Sequence, residues 1–146
     1  MKPRPQKYCP VIVAITCAFV AVIAGCDSRP PCYPVSGVIK FADDSTAQFG
    51  SIEFRSDTEP PSIARGLINQ DGSFTAKSAA GRPGLIAGNY KLIIVQIMAN
   101  ARSGGVTHHH GLEVDKKYST YKTSDLEIEV TPDGENNFVL TVDSNW

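Results

Sequence analysis

The sequence predicts an all-β protein, an antiparallel two-sheet β-sandwich of about seven short strands. Three observations lead there. From Tyr33 onward, apolar and polar residues alternate with period two, and no 3.6-residue pattern is sustained. Gly, Pro, Asp and Asn clusters punctuate those runs at short intervals, as turns between strands require. The stretch that carries the pattern is long enough for one modest core and no more.

The first 25 residues stand apart. Lys2, Arg4 and Lys7 precede an apolar run from Val11 to Ile23, and no acidic residue interrupts them. A basic start, a short apolar run and small residues before a cleavage point form the secretory pattern. The run is shorter than the roughly 20 residues that cross a bilayer core. Ile23-Ala24-Gly25-Cys26 resembles the lipobox of bacterial lipoproteins, in which the Cys thiol receives a diacylglyceryl group and the chain is cut before it. The expected organisation is a lipoprotein signal peptide over 1–25, a lipidated tether over 26–32 and a β-sandwich domain over 33–146. Acylation at Cys26 would anchor the chain to a bacterial membrane, facing the periplasm or the cell surface. Stable anchoring takes more than one acyl chain, since each buried CH₂ contributes only about 0.8 kcal/mol. Pro30 and Pro31 favour an extended tether of about 3.1 Å per residue, ~20 Å in all.

The strands follow in order. Tyr33, Val35, Ile39 and Phe41 share one face of the first, with Ser36 and Lys40 opposite. Ile52 and Phe54 point inward from Gly50–Arg55. Ile63–Asn69 has no clear inner face and runs into Asn69-Gln70-Asp71-Gly72, whose Asp-Gly suits a tight hairpin. The return strand, Ser73–Lys77, buries Phe74 and Ala76. Ser78 to Asn89 reads as loop. Tyr90–Met98 contains the run Leu92-Ile93-Ile94-Val95, apolar on both faces, which suggests a strand covered on both sides. Asn100 to Ser124 has no strand pattern and is long for a loop. Last, Leu126, Ile128 and Val130 alternate with Asp125, Glu127 and Glu129. Pro132-Asp133-Gly134 then leads to Phe138, Leu140 and Val142, which reads as an antiparallel hairpin with a solvated acidic face.

Several short motifs resemble a group of small bacterial lipoproteins with a carboxypeptidase-regulatory-like, or transthyretin-like, domain. They are Tyr33-Pro34-Val35-Ser36-Gly37-Val38-Ile39, Gly50-Ser51-Ile52-Glu53-Phe54, Asp71-Gly72-Ser73-Phe74-Thr75 and Ala87-Gly88-Asn89-Tyr90-Lys91-Leu92. Lys117-Tyr118 and Thr123-Ser124-Asp125-Leu126 continue the likeness, which spans nearly all of 33–143. Each motif is structural, with glycines marking turns and aromatics filling the core. The resemblance implies a transthyretin-like or immunoglobulin-like sandwich and no catalytic residues. One departure is the first turn, Asp43-Asp44-Ser45-Thr46, where the family carries Asp-Gly-x-Pro.

Composition limits function. Without residues 1–25 the chain has eleven basic against fifteen acidic residues, a formal net charge of −4. That balance argues against nucleic acid, which demands a basic face. Cys9 and Cys17 fall within the signal and Cys26 is committed to lipid, so Cys32 has no intramolecular partner and is expected to be buried or inert.

His108-His109-His110 holds every His in the chain. In an extended segment His108 and His110 would point the same way and could bind a transition metal, with Glu113 and Asp115 nearby. Adjacent imidazoles alternate in direction, however, and a zinc site needs three or four converging ligands. A solvated loop tip is the simpler reading. Ser, His and Asp all occur, but without a nucleophile elbow. Glu127 and Glu129 form a solvated strand face. Tyr118, Tyr121 and Trp146 could build a glycan platform. The expectation is therefore a non-catalytic, lipid-anchored envelope module without cofactor. Its partner would be an envelope protein or glycan, and weak metal binding at His108 and His110 is the alternative.

Overall fold

Alternating side chains settle into eight strands in the computed structural model, which describes residues 29–96 and 111–145. Cys26, His108, His109, His110 and Trp146 lie outside the described residues. The strands are β1 (Ser36–Phe41), β2 (Gly50–Ser56), β3 (Ile63–Ile68), β4 (Ser73–Thr75), β5 (Lys77–Ser78), β6 (Gly88–Val95), β7 (Glu127–Val130) and β8 (Asn137–Val142). They hydrogen-bond along one path, β7-β6-β2-β3-β4-β1-β8, with β5 beside β3. The path curls so far that its two ends nearly close around one core. The class is all-β, of sandwich or barrel-like form.

The inner face carries Ile39, Ile52, Phe54, Phe74, Leu92 and Val130, each essentially without solvent contact. Phe54 of β2 and Phe74 of β4 meet with ring centroids 5.9 Å apart, joining the two flanks of the curl. Leu85, from the stretch read as loop, also belongs to the core. Its N–H and C=O pair with the main chain of Tyr33. Arg82 Nη1 donates to the Pro30 carbonyl at 3.1 Å, so the residues before β1 lie on the domain.

The turns obey their residue types. Gly72 takes φ 77° between β3 and β4, and the Asp71 carboxylate accepts from Ser73 N–H at 2.9 Å. The first turn forms without glycine, with Asp44 at φ 65° and Phe41 N–H bonded to the Ser45 carbonyl. Ser73–Lys77 is not one strand. Ala76 N–H bonds to Val35, after which Lys77 and Ser78 move across to pair with β3.

Two expectations are corrected. The last two strands are not an antiparallel hairpin. β7 pairs antiparallel with β6, whereas β8 pairs parallel with β1, so they occupy opposite ends of the path. The Thr131–Asn136 connection crosses between the two ends, closed by the Asn136 amide on Thr131 N–H and C=O at 3.0 Å each. Nor is β6 covered on both faces, since Leu92 and Ile94 are buried, Ile93 is half-buried and Val95 is exposed.

From Leu112 onward the chain lies on the domain. Val114 bridges Ser144, and a 3₁₀ turn over Lys116–Ser119 packs against β6. The Gln96 side chain binds three main-chain groups here: it donates to Gln48 and Leu112 carbonyls and accepts from Val114 N–H at 2.7 Å.

Candidate functional site

Strand register places outward-facing polar residues from three strands side by side. Arg55 of β2 lies opposite Lys91 of β6, which lies opposite Glu127 of β7. One step along, Asn89 lies opposite Glu129, and its amide donates to the Asp57 carboxylate at 3.4 Å. The loop after β2 rises at one end and Tyr121 at the other. Between them runs an open groove of about 760 Å³, whose walls include Asp57, Glu59, Glu127 and Glu129 against Arg55 and Lys91. Four carboxylates to two cations leave it acidic. Lys91 Nζ stands 4.0 Å from Glu127, an exposed pair that contributes little to stability.

Tyr121 is the best-held side chain of the groove. Its phenol donates to Glu53 Oε1 at 3.0 Å, and Glu53 Oε2 accepts from Arg65 Nε at 2.6 Å. The Arg55 guanidinium sits 5.6 Å from the Tyr121 ring centre, within cation–π range. Burial, and then the hydrogen bond to Glu53, push the phenol well above the ordinary tyrosine value. It is therefore a neutral donor at physiological pH. Tyr90, on the groove floor, is also raised by burial, and its hydroxyl donates to the Ile86 carbonyl at 2.9 Å. The Ser56 hydroxyl is engaged by Thr58 Oγ1 and Ser62 N–H, both at 2.7 Å. The Ser56 and Thr58 hydroxyls thereby tie the loop after β2 to its own main chain.

The residues singled out from sequence separate. Glu127 and Glu129 do face solvent, and they also wall the groove. Tyr118 and Tyr121 form no platform: Tyr118 is buried, its hydroxyl 3.2 Å from Asp143 Oδ2, while Tyr121 faces the groove. Cys32 is a half-buried free thiol. His108 and His110 fall outside the described residues, and among those residues no three His, Cys, Asp or Glu gather as a metal site. Sequence reasoning missed Arg55, Asp57, Asn89 and Lys91. Alternation with Phe54, Tyr90 and Leu92 puts Arg55, Asn89 and Lys91 outside, but only strand register makes them neighbours.

Fold and groove together define an all-β protein that carries an open, charged cleft. Compared with protein-family models, curated proteins and solved structures, the chain matches none of them.

Proposed function

We propose that this chain is an exported lipoprotein, anchored through acyl chains on Cys26, whose β domain is a non-catalytic binding module of the bacterial envelope. The observation that carries the anchoring is residue order: a basic start, an apolar run, then Ile23-Ala24-Gly25-Cys26, with the first strand beginning ten residues later at Ser36. The form of the groove supports the binding role. It is wide and solvated, its walls are charged, and its hydroxyls are occupied by structural hydrogen bonds. Such a surface suits an extended polar partner, an envelope protein or a glycan, rather than a small reactant that must be sealed from water.

The test is the mass of the full chain expressed in a bacterium and extracted from membranes. The expected mature protein begins at Cys26 and carries at least a diacylglyceryl group, and a Cys26→Ser variant remains uncut. A mature chain beginning elsewhere, with an unmodified Cys26, would overturn the anchoring.

A further inference from the structure

The two ends of the sheet path differ in how they meet solvent. An open strand edge presents unpaired N–H and C=O groups to any passing strand, and charged side chains are one way of guarding it. β7 is guarded, since Glu127 and Glu129 project from it. β8, Asn-Phe-Val-Leu-Thr-Val, has no charged residue and no proline. It pairs with β1 along its whole length on one side and with no described strand on the other.

Main-chain directions alternate along a strand, and Ser36 N–H bonds to the Asn136 carbonyl. The groups of Asn137, Val139 and Thr141 therefore point away from β1. Beyond them the edge is capped, because the Asp143 carbonyl accepts from Asp115 N–H and Asp143 N–H reaches the Tyr118 hydroxyl. At the other end, Asn136 is tied to Thr131. The open stretch is thus centred on Val139.

We propose that β8 is a self-pairing edge: two copies of this chain join β8 to β8, antiparallel, about a two-fold axis through Val139. In that register Asn137 of one copy meets Thr141 of the other, and every outward main-chain group finds a partner. The side chains match as well. Val139 is 67% exposed and lies beside half-buried Val38 on β1. Pairing extends this into one row of four β-branched residues, Val38 and Val139 from each copy, the kind of cross-strand contact that stabilises sheets. The geometry also suits two anchors on one surface. Ser36 lies opposite Asn137, two residues from the axis. At ~3.4 Å per residue and ~4.8 Å per strand, the two β1 strands begin about 20 Å apart.

The experiment uses the detergent-solubilised full chain with Cys9, Cys17, Cys26 and Cys32 all replaced by Ser as parent, so that neither a native thiol nor acylation affects its outcome. Val139→Cys should oxidise to a covalent dimer while the parent forms no covalent dimer. Leu67→Cys, on β3 and 74% exposed, should form none either. In sedimentation of the otherwise native chain, Val139→Lys should weaken self-association at least ~10-fold through like charges at the axis. Mixing Val139→Lys with Val139→Glu copies should restore it, which a folding defect would not allow. No Val139→Cys dimer, an equal yield from Leu67→Cys, or unchanged association of the Lys variant would overturn the proposal.

Discussion

Gly37 sits where β1, β4 and β8 meet, opposite Phe74 on one side and Phe138 on the other. A Cβ built there would lie 2.7 Å from Phe74 Cζ and would collide with the Phe138 carbonyl oxygen. The motif glycines read as turn markers in the sequence, but Gly37 marks none; it is mid-strand and lets a buried ring lie against the backbone. Gly37→Ala should lower the free energy of unfolding by about 2 kcal/mol, the range of an overpacked core site. A lower urea midpoint with an unchanged slope would show it. Gly72 plays both parts, with φ 77° at the hairpin and a Cβ position 2.8 Å from the Ile39 carbonyl oxygen. Its Asp-Gly signal was legible, whereas the close approach of Gly37 had no local signal.

Elements were legible to the extent that their information is local. Alternation of Leu126, Ile128 and Val130, and of Leu140 and Val142, identifies two strands and their inner faces correctly. It does not identify partners. Pro132-Asp133-Gly134 resembles a hairpin turn, yet β8 pairs with β1, about a hundred residues away in the chain. The groove was hidden for the same reason, since Arg55, Lys91 and Glu127 become neighbours only through long-range register. In the stretch from Gly111 to Ser124, Val114 and Tyr118 enter the core without a strand period to announce them. What holds the start of that segment is the Gln96 amide, and Gln96→Ala leaves Val114 N–H and two carbonyls to find new partners. The variant should lose about 1–2 kcal/mol of stability. Hydrogen exchange at the Val114 amide should accelerate by more than at the centre of β2.

Across the whole molecule, one electrostatic lock ties the 3₁₀ turn to the end of β8. Lys117 Nζ lies 2.6 Å from Asp143 Oδ2 and 3.4 Å from Asp125 Oδ2. The hydrogen bond and charge of Lys117, followed by the Tyr118 hydroxyl, hold the Asp143 carboxyl below its usual range. A depressed carboxylate contributes stability that is present above its unfolded value, about 3.9, and is lost as pH falls through the folded value. Urea midpoints should therefore decline below about pH 4, and the decline should be shallower in Asp143→Asn. Asp43 and Asp71, lowered by hydrogen bonds from Ser45 and Ser73, add to the acid limb in both proteins.

The parallel neighbours β1 and β8 also decide how the molecule bears a load. The chain enters at the start of β1 and leaves from the end of β8, and the two strands run the same way side by side. Tension between the two termini therefore drags β1 lengthwise past β8, and their hydrogen bonds resist together instead of opening one by one like a zipper. Before that force reaches β1 it must strip the Pro30 carbonyl from Arg82 and Tyr33 from Leu85. A domain pulled between the start of β1 and the end of β8 would therefore resist in shear along that seam.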